Sequence, residues 1–426
     1  MAIPRIRRAS SEPFSAFRAA SAAAVVAATL IAAGSASAQQ APQAPQASTP
    51  GPASGGSASG QPLKIGFMAE LSGPQGALGQ DQYDALMLFM EQNGGRLGGV
   101  PVQVIRKDSQ LKPELAVQIV DELIERERVP IITGVTFSNV MMAVHKKVVD
   151  KEVFLVGSNA GPSPIAGAQC SPYFFSTSWQ NDQQAEVVGK YATDRGYTRV
   201  IAIAPNFQAG KDHVAGFKRY FKGQVTQELY PSLSQTDFSA ELAQIAAANP
   251  QAVFALMPGG LGVNFVKQWS QAGLRGKIPL LTVSTTDGIN LPAQGDAALG
   301  VFSGTFWGPD LQNPANQKFV RDFEAKYKRI PSQYAAQGYD AAQLLDSALR
   351  KVGGNVADKK AFQAALKAAD FASVRGPFRY NTNHFPIQDF HVFEAVKDGQ
   401  GRMTLKTVAT PLKQDIDAYA EKCPMK

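Results

Sequence analysis

The sequence predicts an α/β fold built as two lobes, each a doubly wound parallel sheet, and three observations carry that expectation. Short apolar segments of strand length alternate with longer segments whose apolar residues recur at helical spacing. The alternation runs twice, over about residues 63–176 and again over 178–305, so one sheet is expected from each series. Finally, 426 residues with 44% hydrophobic and 18% charged side chains can fill more than one core, which excludes a disordered or fibrous chain.

The first strand is read in LKIGFM from Leu63, followed by the loop Gly73-Pro74-Gln75-Gly76-Ala77-Leu78-Gly79 and a helix expected from about Asp81. Tyr83, Leu86, Met87 and Met90 recur at i, i+3, i+4 and i+7, the stripe of a helix lying on a sheet. The strand VPVQVIRKD precedes a helix opened by Pro113, whose missing N–H costs nothing in a first turn, with Ala116, Ile119, Val120, Leu123 and Ile124 on one face. VPIITG, a helix from about Ser138 and VFLVG complete the first series. The second contains the strands VIAIA, QVTQEL, AVFALM and IPLLTV separated by helices. The segment from about Asn313 to Leu366 reads as helix and is expected to return onto one of the lobes.

Residues 1–38 read as a secretory signal with Arg5, Arg7 and Arg8 in its basic region. Its apolar run, Ala19 to Ala33, is shorter than a spanning helix needs, and Ala36-Ser37-Ala38 forms a cleavage site before Gln39. Residues 39–61, rich in Gln, Pro, Ser and Gly, read as a flexible linker. Without residues 1–38 the net charge falls from +7 to +4, with no basic run, so no nucleic-acid partner is expected. Export permits a disulfide between the two cysteines, Cys170 and Cys423; two separate buried thiols are the alternative.

Catalytic and metal-ligating patterns are not found. His145, His213, His384 and His391 have no metal-ligand spacing and read as surface or core residues, and there is no nucleophile elbow or phosphate-binding loop. No enzyme activity, metal or cofactor is therefore expected. Ligands of doubly wound sheets collect at the carboxyl ends of the strands. Those positions are Leu78, Thr136-Phe137-Ser138 and Ser158-Asn159-Ala160-Gly161 in the first series, and Phe207 to Gly210 with Ala209, Pro258-Gly259-Gly260 and Thr285-Thr286-Asp287 in the second, with Trp307 beyond. Hydroxyl, amide and glycine residues at helix N-termini suit a small carboxylate, with stacking on Phe137 or Phe207; core packing is the alternative for Phe137, Phe207 and Trp307. Asp287 is a candidate for a ligand ammonium or a cap of its own turn.

Six collinear segments carry a resemblance. They are IGFMAELSGPQGALGQD, NAGPSPIAGAQCSPYFFSTSWQNDQ from Asn159, FSAELAQI from Phe238, GDAALGV, NPANQKFV and RGPFRYNTNHFPIQDF from Arg375. From about Pro62 onward the chain resembles the Leu/Ile/Val-binding type of periplasmic substrate-binding protein of ABC transporters, and within it the binders of aromatic carboxylates. The resemblance implies a type I Venus-flytrap architecture, two lobes joined by three crossovers. Lobe 1 would span 62–176 plus about 307–372, and lobe 2 would span 178–305 plus about 386–426. It also implies a periplasmic monomer that delivers a small carboxylate to inner-membrane permease subunits. Ser138 and Asn159 to Gly161 fall where the family holds a carboxylate, and Pro258-Gly259-Gly260 would leave room for a bulkier ligand. A branched-chain amino-acid binder and a ligand-sensing subunit are the alternatives.

Overall fold

The computed structural model describes residues 61–425. The expected signal segment with its cleavage after Ala38, and the linker apart from Gln61, lie outside the described residues.

The first sheet contains β1 (Leu63–Ala69), β2 (Arg96–Leu97), β3 (Val100–Asp108), β4 (Ile131–Gly134), β5 (Phe154–Gly157) and β6 (Phe174–Ser176) in the order β2-β3-β1-β4-β5-β6, parallel except for β2. Between these strands run α1 (Gly76–Gln92), α2 (Pro113–Asp121), α3 (Ser138–Asp150) and the short α4 (Ser163–Ala166). Its central strands β1, β4 and β5 are largely apolar on both faces because both are covered. Ile65, Phe67, Ile131 and Phe154 pack on one side, Met68, Ile132 and Leu155 on the other, the latter against α2 and α3.

The second half runs α5 (Asn181–Asp194), β7 (Arg199–Ile203), α6 (Gln208–Tyr220), β8 (Gln224–Leu229), α7 (Ser239–Ala248), β9 (Ala252–Leu256), α8 (Gly260–Gln271), β10 (Leu280–Val283), α9 (Leu291–Gln294) and β11 (Phe302–Thr305). The chain then forms α10 (Pro314–Tyr327), α11 (Gln333–Lys351) and α12 (Lys359–Ala368), followed by β12 (Arg379–Tyr380), β13 (Pro386–Lys397) and β14 (Met403–Asp415). The second sheet has the order β12-β13-β11-β10-β9-β7-β8, with β14 also on β13. Strands β7 to β11 are parallel, whereas β12, β13 and β14 add an antiparallel meander that strand-helix alternation does not announce.

Two lobes therefore stand as expected, and the chain passes between them three times. It leaves the first sheet through Thr177–Gln180, returns after β11 so that α11 and α12 complete the first sheet's core, and leaves again between α12 and β13. Helix α1 starts at Gly76 rather than near Asp81, because Gly73–Gln75 already form a 3₁₀ turn that runs into it. It is buried on two sides, which is why Asp81, fully buried, is ion-paired to Arg329 and hydrogen-bonded to Ser332 ahead of α11. Cys170 and Cys423 are bridged, their Cα atoms 5.6 Å apart across 253 positions, which staples the C-terminal segment to the loop after α4. Among the described residues no helix is long and apolar enough to cross a membrane.

Candidate functional site

Two helix N-termini from opposite lobes define the site. After β4 the backbone turns through left-handed Gly134 and Val135, and Phe137 takes the extended N-cap position of α3. In the other lobe Phe207 is the extended N-cap of α6. Phenylalanine offers no oxygen to cap a helix, so the first-turn N–H groups of both helices lack a side-chain acceptor and remain available to an anion. The two rings meet across the cleft with centroids 6.3 Å apart.

Behind them lies a cavity of about 380 Å³ lined by Leu78, Thr136, Phe137, Ser138, Asn159, Ala160, Trp179, Asn181, Phe207, Ala209, His213, Leu256, Pro258, Ser284 and Tyr334. Phe137, Trp179, Phe207 and Tyr334 place four aromatic rings in the lining, and no aspartate or glutamate is among these residues. The lobes meet on both flanks of this space. On one side Ser163 donates through its backbone N–H (3.1 Å) and its Oγ (2.8 Å) to Asp212 at the start of α6. On the other, Gly259 and Gly260 lie against Gln75, Leu78 and Pro74.

The polar groups of the lining are held by one another and by Gln82 and Ser158 behind them. Gln82 on α1 donates to Thr136 Oγ1 (3.1 Å) and accepts from Ser158 Oγ (2.6 Å). Asn159 Nδ2 donates to the Thr136 carbonyl at 2.5 Å. Asn181 Nδ2 donates to Ser138 Oγ (3.1 Å) and to Asp212 (2.9 Å), so one amide links the N-termini of α3, α5 and α6. Three buried polar atoms on lining residues have no partner among the described residues: Trp179 Nε1, Asn159 Oδ1 and His213 Nε2. Burial holds the His213 imidazole down at about 4, so it is neutral at physiological pH.

Of the residues expected at strand ends, Leu78, Thr136, Phe137, Ser138, Asn159, Ala160, Phe207 and Ala209 line this cavity. Pro258 lines it too, whereas Ser158, Gly161, Gln208, Gly210, Gly259, Gly260, Thr285, Thr286, Asp287 and Trp307 do not. Ser158 orients Gln82 instead. Gly161 packs against the Trp179 carbonyl and gives its N–H to Asn181 Oδ1 (3.2 Å). Gly259 and Gly260 make no room for a ligand; their missing side chains let the opposite lobe approach. Thr286, Asp287 and Trp307 line a separate cavity of about 360 Å³ beside Pro331 and Met403. There Asp287 Oδ1 accepts from the backbone N–H groups of Ile289 (2.9 Å) and Asn290 (3.0 Å), the turn-capping role. Trp307 is core: its Nε1 donates to Asn316 Oδ1 at 2.7 Å and its ring packs on Phe319.

Strand-end reasoning overlooked Trp179 and Asn181, which follow β6 into the first crossover, and Ser284, one position before Thr285. Tyr334, in the first turn of α11, and His213, one turn inside α6, had no such signal; His213 read as an ordinary histidine and is instead buried on the cavity. Among the described residues no three His, Cys, Asp or Glu side chains come together as metal ligands.

Residues 62–400 match the model of a family described as periplasmic binding protein. A Leu/Ile/Val-binding protein homolog 6 from Brucella melitensis is 28% identical over 363 residues, covering 83% of this chain and 92% of that protein. An ABC transporter solute-binding protein from R. palustris, solved in complex with benzoate, is 33% identical with a TM-score of 0.81, covering 86% of this chain and all of that one. A second, from Rhodopseudomonas palustris BisB5 in complex with 3,4-dihydroxybenzoic acid, is 27% identical with a TM-score of 0.77, covering 84% of this chain and 98% of that one.

Proposed function

Because the chain belongs to the periplasmic binding protein family, we propose that it captures an aromatic carboxylate between its lobes and delivers it to the permease subunits of an ABC importer. The observation that carries this reading is the lining of the interlobe cavity: Phe137, Trp179, Phe207 and Tyr334 supply ring faces, while no acidic side chain lines it. An α-amino acid would bury its ammonium there without a counter-charge, a large cost in a dry site. An aromatic acid places its ring among the aromatic side chains and its carboxylate at the Ser138 hydroxyl and the uncapped start of α3. The solved relatives that hold benzoate and 3,4-dihydroxybenzoic acid support the same ligand class.

The mechanism is a population shift. Phe137 and Phe207 come from different lobes, so only the closed form gives the ligand both rings, and the ligand selects closure. The protein works as a periplasmic monomer, exported by the segment that ends at Ala38. The test is a thermal-shift screen of the purified chain against benzoate, hydroxybenzoates, cinnamates, leucine, isoleucine and valine, since a ligand that binds only the native state raises its melting temperature. A rise with the aromatic acids alone supports the reading. A rise with the amino acids alone overturns it in favour of branched-chain amino-acid uptake.

A further inference from the structure

We propose that the cognate aromatic acid carries a hydroxyl group as well as its carboxylate, and that His213 selects it by accepting the hydroxyl proton at Nε2. The inference rests on the aromatic-acid reading above and extends it from a ligand class to a specificity residue.

The polarity of His213 follows from one contact. Its Nδ1 lies 2.7 Å from the Ala209 carbonyl oxygen one helical turn earlier. A carbonyl can only accept, so Nδ1 carries the hydrogen. In the neutral ring Nε2 is then a bare lone pair. That nitrogen belongs to a residue 3% exposed that lines the cavity, and it has no partner among the described residues. Asp212, held by Ser163, Asn181 and Gln208, pulls the ring toward its charged form, but burial outweighs it and keeps the ring neutral. Asn159 adds a second acceptor of the same kind: its Nδ2 is committed to the Thr136 carbonyl, which leaves Oδ1 unpartnered.

Benzoate brings only acceptors to this arrangement. Its carboxylate suits Trp179 Nε1 and the start of α3, but it leaves the His213 lone pair desolvated and unpaired, the situation by which polar sites reject an analogue lacking a hydroxyl. A phenolic hydroxyl supplies the missing donor without adding charge. An ammonium group supplies a donor too, but with no acidic lining residue to balance it.

Isothermal titration of the purified chain with benzoate and with 2-, 3- and 4-hydroxybenzoate tests this directly. At least one hydroxy isomer is expected to bind about tenfold or more tightly than benzoate, and in His213→Phe that ratio is expected to fall toward one, whatever the absolute affinities. Equal affinity for benzoate and every hydroxy isomer in the unaltered protein overturns the proposal and leaves the aromatic-acid reading standing. So does a hydroxyl preference that survives in a folded His213→Phe variant. Failure of all four acids to bind overturns the aromatic-acid reading itself. Independently of any variant, ¹⁵N spectra of the histidine rings should show His213 as the Nδ1–H tautomer with Nε2 shifted on binding; an Nε2–H tautomer contradicts the assignment.

Discussion

The Arg375 guanidinium and the Asp340 carboxylate form a buried ion pair, Nε to Oδ2 at 2.9 Å, where the three interlobe segments converge. Asp340 lies on α11, while Arg375 sits in the third crossing and reaches the other two. It donates to the carbonyls of Thr177 and Ser178 in the first and lies over the Phe306 ring of the second at 4.1 Å; Gln388 accepts from it at 2.8 Å. Arg375→Met leaves Asp340 buried without its charge partner, and breaking such a pair costs about 3–5 kcal/mol. Urea denaturation should show that loss, and the Arg375→Met, Asp340→Leu double variant should lose less than the sum of the single changes. Full additivity would mean that the pair does not act as a unit.

Gly259 governs how closely the lobes approach. It holds φ +57° and ψ −133°, a conformation nearly reserved for glycine, and a Cβ there would meet Gln75 Oε1 and lie 2.7 Å from Leu78 Cδ1. Gly259→Ala should cost about 1–3 kcal/mol of fold stability through backbone strain, and its Cβ should in addition weaken ligand binding by obstructing closure, a loss that Gln75→Ala should partly restore. Titration calorimetry on the two variants decides. Undiminished affinity in Gly259→Ala would remove this contact from closure.

Much of this architecture was legible because parallel strands covered on both faces appear as continuous apolar runs, such as Ile131–Gly134 and Ala252–Leu256. The C-terminal meander was not. Strand β13 is buried along most of its length and carries Gln388 and His391 inside, so it shows neither polar alternation nor a pure apolar run. In the site, Thr136, Phe137, Ser138 and Asn159 were readable from their place after strands. Trp179 and Tyr334 were not, because they belong to crossover and helix-start segments that reach the cavity only once the lobes are assembled. Asp287 misled because a carboxylate after a strand serves a ligand or its own turn equally well, and only the hydrogen bonds to Ile289 and Asn290 decide.

Ser138 is expected to contribute one hydrogen bond and no more. Its Oγ accepts from Asn181 at 3.1 Å and keeps a proton for a ligand carboxylate, while the backbone N–H groups of α3 persist in any variant. Ser138→Ala should therefore weaken binding by about 1–2 kcal/mol without changing the order of preference among ligands. An unchanged dissociation constant would place the carboxylate elsewhere.

Glu186 should make stability fall as the pH rises above neutral. Glu186 on α5 is 1% exposed; burial, with Asp415 and Asp182 nearby, pushes it up to about 8 against the pull of its ion pair with Arg219. Between its ordinary 4.5 and about 8 the native state holds a proton that the unfolded chain has released, so stability from this group is complete below 4.5 and is lost as pH rises through 8. His145, His213 and His384, held near 4 by burial, and His391, also lowered by burial, act with the opposite sign as the unfolded chain titrates around 6.5. Asp287 and Asp415 are raised to about 6, and burial also raises Glu70, Asp81, Asp182, Asp340 and Asp417, so the share that belongs to Glu186 is read from its own variant. One pKa unit corresponds to about 1.4 kcal/mol, so Glu186 by itself should contribute about 2 kcal/mol less stability at pH 8 than at 6.5, read by urea denaturation as the difference in slope between the unaltered protein and Glu186→Gln. Glu186→Gln, which keeps the shape and cannot ionise, should flatten that slope. A slope unchanged between the unaltered protein and the variant would show that Glu186 does not carry the excess proton.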